Sequence, residues 1–210
     1  MSSQATAADP QAIREAARSK EISPWRRLLL RPEVGALFGA IIVWIVFAIL
    51  AWDRGFVSAR GAATYLEVAA QLGILAVAVA LLMIAGEFDL SVGSMIGACS
   101  VIAALVPTEL GVSFWWGVAL ALVFALAVGF LNGLVVVRTG LPSFIVTLAS
   151  LFIIRGVTVG MTRLITGRTQ VGGLKKLPGF EEAAKLFGAD FMLFGAAFPV
   201  SIFWWILVAA

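Results

Sequence analysis

Seventy-two consecutive residues, Leu66 to Val137, hold no basic side chain and only four acidic ones, Glu67, Glu87, Asp89 and Glu109. Soluble domains carry roughly one charged residue in four, so a stretch this poor in charge cannot form a hydrated globular surface. The whole chain is 61% apolar and 13% charged, with one Cys, no His and a net charge of +3. Lipid is therefore the expected solvent, and neither a disordered chain nor a disulfide scaffold fits. The lack of histidine removes His-ligated zinc, the Ser-His-Asp and Cys-His nucleophile systems and the commonest general base. No metal set and no cofactor is expected.

The basic residues are unevenly placed. Arg14, Arg18, Lys20, Arg26, Arg27 and Arg31 crowd the first 34 residues, with none of the aromatic interleaving that grips nucleic acid, so no nucleic-acid partner is expected. No cleavable apolar core follows them, and residues 1–34 read as a basic tail that stays in the cytoplasm. Within it, Asp9-Pro10 and Ser23-Pro24 resemble helix starts, the second opening a short Trp25-Arg26-Arg27 helix suited to the headgroup layer. A frayed tail is the alternative.

A helix rising 1.5 Å per residue needs about 20 apolar residues to cross the hydrocarbon core. Segments 35–52, 66–85, 113–137 and 142–160 approach or exceed that length, whereas 92–106, with 15 residues, either crosses or turns back. If all five cross, the two sides carry seven basic residues each; if 92–106 turns back, the count is eleven inside against three outside. Residues 161–198 form the one long polar connection, with an amphipathic run from Phe180 to Phe187. The last twelve residues, Pro199 to Ala210, are apolar and too few to cross, so the chain is expected to be an N-terminal part of a longer polypeptide.

Polar groups inside apolar runs mark the candidate site. In Gly86-Glu87-Phe88-Asp89-Leu90-Ser91-Val92-Gly93-Ser94, Asp89 or Ser91 can cap a helix starting at Val92, or the segment can be a polar break in a translocation path. Glu87 and Asp89, two residues apart, do not face each other as an acid/base pair on a helix. Asn132 can bond across helices, and Arg155, five residues from the end of its expected span, either snorkels to the interface or lines a polar path. Gly93/Gly97 and Gly129/Gly133 are two of four Gly-xxx-Gly pairs, read as helix-packing notches. No phosphate-binding glycine loop of either common pattern occurs.

The segment Gly86 to Ser94 closely resembles the GGIDLSVGS-like signature of the permease subunits of ribose/xylose-type sugar ABC importers. Asn132-Gly133, then Leu141-Pro142-Ser143-Phe144-Ile145-Val146-Thr147-Leu148, then Arg155-Gly156 are similar to that family's NG, P-x-FIVTL and RG blocks, in order. The departure is Glu87, where the family more often has an apolar neighbourhood. The resemblance implies an all-α, polytopic transmembrane bundle of roughly ten spans, of which 35–210 would be the N-terminal part. It implies a second permease subunit, a cytoplasmic ATP-binding subunit, a periplasmic solute-binding protein, and a multi-pass location in the bacterial inner membrane. It also places 161–198 outside, which favours five crossings. No covalent chemistry is implied. Glu87, Asp89, Ser91, Ser94, Asn132 and Arg155 are the translocation-path candidates. An ion-coupled secondary transporter is the alternative, separable by whether uptake follows an ion gradient without ATP.

Overall fold

The structure, a computed structural model, describes residues 31–210. The helices expected after Asp9-Pro10 and Ser23-Pro24 lie outside the described residues. The chain divides into two compact units between Ser58 and Ala59.

The first unit holds α1, Pro32–Leu50, an apolar helix whose last turn is followed by a tight turn region. There Phe56 folds back onto its own helix, with its ring 6.0 Å from Phe47 and 6.1 Å from Trp44. Ser58 closes the turn by donating to the Gly55 carbonyl at 2.6 Å.

The second unit contains α2, Ala59–Ile84, α3, Val92–Leu110, α4, Phe114–Thr139, and α5, Ser143–Thr166. With α1, these make five helices long and apolar enough to cross a membrane. Large apolar side chains point outward along them, among them Leu126, Phe130, Val137, Phe152 and Leu164. Such a surface suits lipid rather than water. Where helices meet, the buried residues are mostly small, including Ala70, Ala98, Ala104 and Ala121, because close backbone approach supplies the dispersion contacts that hold membrane helices together.

The second spanning helix starts seven residues earlier than expected, at Ala59 rather than 66, and two helix ends also differ from expectation. The segment expected to end at 106 continues to Leu110 as one unbroken helix. Its 19 residues span about 28 Å, so it does not turn back partway. Pro107 lies inside it and is fully buried. Proline has no N–H to offer the carbonyl four residues earlier, which frees the Ala103 oxygen. Gly117 of α4 sits directly against that oxygen: an added Cβ would lie 2.4 Å from it. The hydrogen that glycine carries in place of a side chain is thus aimed at the freed carbonyl, a weak C–H···O contact that compensates the missing bond. This explains why the helix tolerates its proline.

The other end that differs is that of α5, which runs six residues beyond the expected end at 160, to Thr166, before Gly167 terminates it in the left-handed region at φ 70°. The polar connection therefore starts at 167 rather than 161.

That connection is largely structured. A short 3-10 turn, Leu174–Lys176, leads into α6, Phe180–Phe187, the amphipathic run expected from the sequence. An unanticipated hairpin follows, β1, Asp190–Leu193, paired antiparallel with β2, Ala196–Pro199, with Phe191 opposite Phe198. Its two-residue turn, Phe194-Gly195, has φ of 51° and 74°, the positive pair a tight primed turn demands. The chain then enters α7, Ser201–Ala209.

These pieces are fastened to the spans. The Phe114 N–H donates to the Pro178 carbonyl at 2.9 Å, Trp115 Nε1 to Glu182 at 3.4 Å, and Trp204 Nε1 to the Leu186 carbonyl at 2.9 Å. The Phe114 and Phe180 rings meet edge-on at 5.3 Å. Trp115 and Trp204 therefore tie α6 to α4 and α7, and Trp205 lies against Gly73 of α2.

Candidate functional site

The polar groups gather where α3 and α5 begin and α4 nears its end. After α2, Gly86 turns the chain at φ 82°, and the Glu87 N–H donates back to the Leu82 carbonyl at 3.1 Å. The next residues run alongside the first turns of α5. The Phe88 N–H donates to Ser143 Oγ at 3.0 Å and the Leu90 N–H to Thr147 Oγ1 at 3.1 Å. Two N–H groups on one side of an extended stretch lie nearly as far apart as two hydroxyls one helical turn apart, so the match is geometric. Thr147 passes its own proton to the Ser143 carbonyl at 2.8 Å. Backbone that leaves a helix near a membrane boundary is thereby satisfied by side chains of a neighbour.

A second chain of bonds crosses beneath it. Ser150 Oγ donates to Asn132 Oδ1, Asn132 Nδ2 donates to Ser91 Oγ at 3.3 Å, and Ser91 Oγ donates to Asp89 Oδ1. The Ser91 N–H adds a 2.8 Å bond to the same carboxylate oxygen. Every donor points toward Asp89, so each bond polarises the next. Ser91 is 1% exposed and Asn132 8% exposed. Asp89, rather than Ser91, takes the capping role: Ser91 is already helical, at φ −69° and ψ −18°, and makes no side-chain cap of its own. The latch unites α3, α4, α5 and the α2–α3 linker.

Beside the latch lies a cavity of about 220 Å³, lined by Glu87, Asp89, Asn132, Gly129, Gly133 and Thr147 among others. A separate groove of about 370 Å³ opens between α3 and α5. Arg155 lines it, and the other lining residues, Gly93, Ser94, Gly97, Leu151, Thr158 and Val159, carry no charge.

Of the six residues singled out in the sequence, the structure joins Asp89, Ser91 and Asn132 directly. Glu87 lines the adjoining cavity, while Ser94 and Arg155 face the other groove. Ser94 bonds back to the Ser91 carbonyl at 2.8 Å. Arg155 is not near a helix end: the extension of α5 leaves eleven residues beyond it, about 16 Å of helix. The expected helix end at 160 is thereby corrected to Thr166.

The glycines expected to seat a neighbouring helix meet none within the described residues. A Cβ at Gly93, Gly97, Gly129 or Gly133 would meet nothing within 4 Å, and these residues line the two cavities instead. Close approach occurs at Gly117 and Gly73, the latter 2.1 Å from Trp205 Nε1 when a Cβ is added. Ser143, Thr147 and Ser150 were missed as bonding partners, although their i, i+4, i+7 spacing puts three hydroxyls on one helical face. Among the described residues, no cluster of His, Cys, Asp and Glu is placed to hold a metal ion.

Five apolar helices of spanning length, three of them joined by a buried polar latch, are the build of a polytopic membrane protein. The model of the family described as branched-chain amino acid transport system / permease component matches residues 61–210, and the chain belongs to that family. It is 38% identical over 133 residues to the Xylose transport system permease protein XylH of Escherichia coli (strain K12), covering 63% of this chain and 34% of XylH. It is 31% identical over 142 residues to the Autoinducer 2 import system permease protein LsrD of Klebsiella pneumoniae, covering 65% and 41%. The Inner membrane ABC transporter permease protein YjfF of Escherichia coli (strain K12) is 39% identical over 104 residues, covering 50% and 31%. The matched region thus spans between three and four tenths of each relative's length. The resemblance to sugar ABC importer permeases, read from two blocks of motif, is borne out at the level of the family. No solved structure matches the chain.

Proposed function

We propose that this chain is part of the membrane-spanning permease subunit of an ABC importer that moves a sugar or related small polar solute. A periplasmic binding protein delivers the solute, a separate cytoplasmic subunit hydrolyses ATP, and a second permease copy completes the conduit. The observation that carries this reading is the family match across 61–210, which contains both the latch and the groove. The permeases it resembles are named for a xylose transport system and an autoinducer 2 import system.

The protein sits in the bacterial inner membrane with its N-terminal tail in the cytoplasm. Five crossings then put the latch at the cytoplasmic face and the α6–hairpin segment outside, where a binding protein docks. Asp89, Ser91 and Asn132 hold helix ends in register at the inner mouth of the path, while Glu87 supplies an unlatched carboxylate beside it. The permease needs no cofactor. Its work is to present alternating openings, and a latch that fixes three helix ends lets them move as one body.

Complementation tests this. A strain deleted for the gene encoding the full permease should lose uptake of its sugar and regain it from the intact gene only when the ATP-binding subunit is also present. Full uptake in the absence of any ATP-binding subunit, following a proton or sodium gradient, would overturn the reading.

A further inference from the structure

The geometry points to the α3–α5 groove as the solute-contacting surface of the path, with Arg155 as its specificity-determining residue and a neutral polyhydroxylated molecule as its ligand. This rests on the permease reading above.

A charged side chain near the middle of a membrane span needs a partner or a water-filled space. Arg155 lines a groove whose other lining residues carry no charge, so no counter-ion within that lining neutralises it. The floor opposite it on α3 is made by Gly93 and Gly97, which meet no neighbour within 4 Å. At about 370 Å³ the groove falls within the roughly 300–1,000 Å³ typical of small-molecule sites.

The donors and acceptors around the groove select the ligand chemistry. Arg155 offers only N–H donors, in a planar fork that spans two adjacent oxygens. Ser94 offers the reverse. Its proton is committed to the Ser91 carbonyl at 2.8 Å, so its hydroxyl presents lone pairs. A ligand satisfying both must accept from Arg155 and donate to Ser94. Adjacent hydroxyl groups do both, whereas a carboxylate only accepts and would oppose the Ser94 lone pairs. A carboxylate would also form a charge pair in a low-dielectric setting, and a path must release what it binds. A neutral polyol gives charge-to-neutral hydrogen bonds, strong enough to orient the solute and weak enough to let it pass.

The test uses the full permease, assembled with its ATP-binding subunit and binding protein in proteoliposomes. In a Cys99→Ser background, Gly97→Cys and Ile153→Cys are exposed to a charged, membrane-impermeant thiol reagent, Ile153 lying on the far side of α5 from Arg155. Gly97→Cys should react at least ten times faster, because the groove holds water. Equal inertness at both positions would mean a groove filled by lipid or by another helix and would overturn the proposal. In parallel, ATP-driven uptake of radiolabelled D-xylose, D-ribose and D-galactose is measured for Arg155→Gln, Arg155→Lys and Gly97→Val. Arg155→Gln and Gly97→Val should lose at least tenfold in uptake of the transported sugar while keeping extraction yield and ATP hydrolysis stimulated by the binding protein. Arg155→Lys should retain part of the uptake. Unchanged uptake in Arg155→Gln would overturn the proposal, as would collapse of assembly in Gly97→Val, which would mark a helix seat. If uptake by the unmodified protein proceeds without ATP, the permease reading has failed, and the labelling still shows whether the groove is wet; ATP-driven uptake of none of the three sugars would overturn the ligand assignment.

Discussion

Two glycine-to-alanine substitutions on packed membrane helices should have opposite signs. At Gly117 the new Cβ would fall 2.4 Å from the Ala103 carbonyl oxygen and 2.9 Å from Pro107 Cδ. Ordinary contact begins near 3.4 Å, so α4 must retreat from α3 by about 1 Å, and neither a backbone oxygen nor a ring within a buried helix can swing aside. Overpacking of this kind costs about 1–3 kcal/mol, and losing the C–H···O contact to the carbonyl freed by Pro107 adds roughly 0.5–1 kcal/mol. Alanine's better helix propensity offsets about 0.5–1 kcal/mol of that. At Gly97 the Cβ meets nothing, so only the propensity gain remains, about 0.5–1 kcal/mol in favour of the variant. The propensity gain cancels between them, so the two variants should differ by about 1.5–4 kcal/mol. Unfolding of the full permease in mixed micelles by sodium dodecyl sulfate titration measures the gap. Equal unfolding midpoints for Gly117→Ala and Gly97→Ala would refute the packing assigned to Gly117 against Ala103 and Pro107.

Asn132→Leu should destabilise by about 1–3 kcal/mol in the same titration, because Ser150 loses its acceptor and Ser91 its donor in a buried setting. Ser143→Ala and Thr147→Val should be non-additive in a double-mutant cycle, with a coupling of about 0.5–1.5 kcal/mol, since both hydroxyls hold the same extended linker. Additive losses would mean that the linker is held elsewhere. Gly73→Ala should force Trp205 aside and lower the unfolding midpoint, and the smaller side chain of Trp205→Leu should largely restore it. Proteases added outside right-side-out vesicles should cut within 167–200, whereas protection from outside combined with cutting in inverted vesicles would reverse the proposed orientation.

Much of this architecture was legible because lipid solvent writes long, plain signals. The span expected at 113–137 is observed as Phe114–Thr139, and the amphipathic run from Phe180 to Phe187 coincides with α6. Two ends are expected too early because the apolar run stops before the helix does. The helix holding Pro107 runs on to Leu110, with Gly117 facing the carbonyl that the proline frees. The helix α5 keeps its helical bonding past 160, to Thr166. The hairpin was hidden because its turn puts Phe194, a residue that rarely adopts positive φ, in the left-handed region.

At the site, the residue types were readable and their partners were not. Asp89, Ser91 and Asn132 stood out as polar groups in apolar runs. Nothing in their spacing revealed that hydroxyls from another helix, Ser143, Thr147 and Ser150, complete the bonding. The Gly-xxx-Gly pairs show the converse. Spacing alone does not distinguish a glycine that admits a helix, as Gly117 does, from one that leaves a groove open, as Gly97 does. Placing Arg155 depended on knowing where α5 ends. Six further residues move it from near the expected end of its helix to about the middle.

The central proposal is that the permease to which this chain belongs carries solute through the membrane on power supplied by a separate ATP-hydrolysing subunit. Reconstituting the full permease with that subunit and the binding protein, and following labelled sugar into proteoliposomes, tests it most directly. Accumulation that requires ATP and is abolished by orthovanadate is the expected result. Accumulation that proceeds without nucleotide, or that survives vanadate while collapsing with an ion gradient, would contradict it.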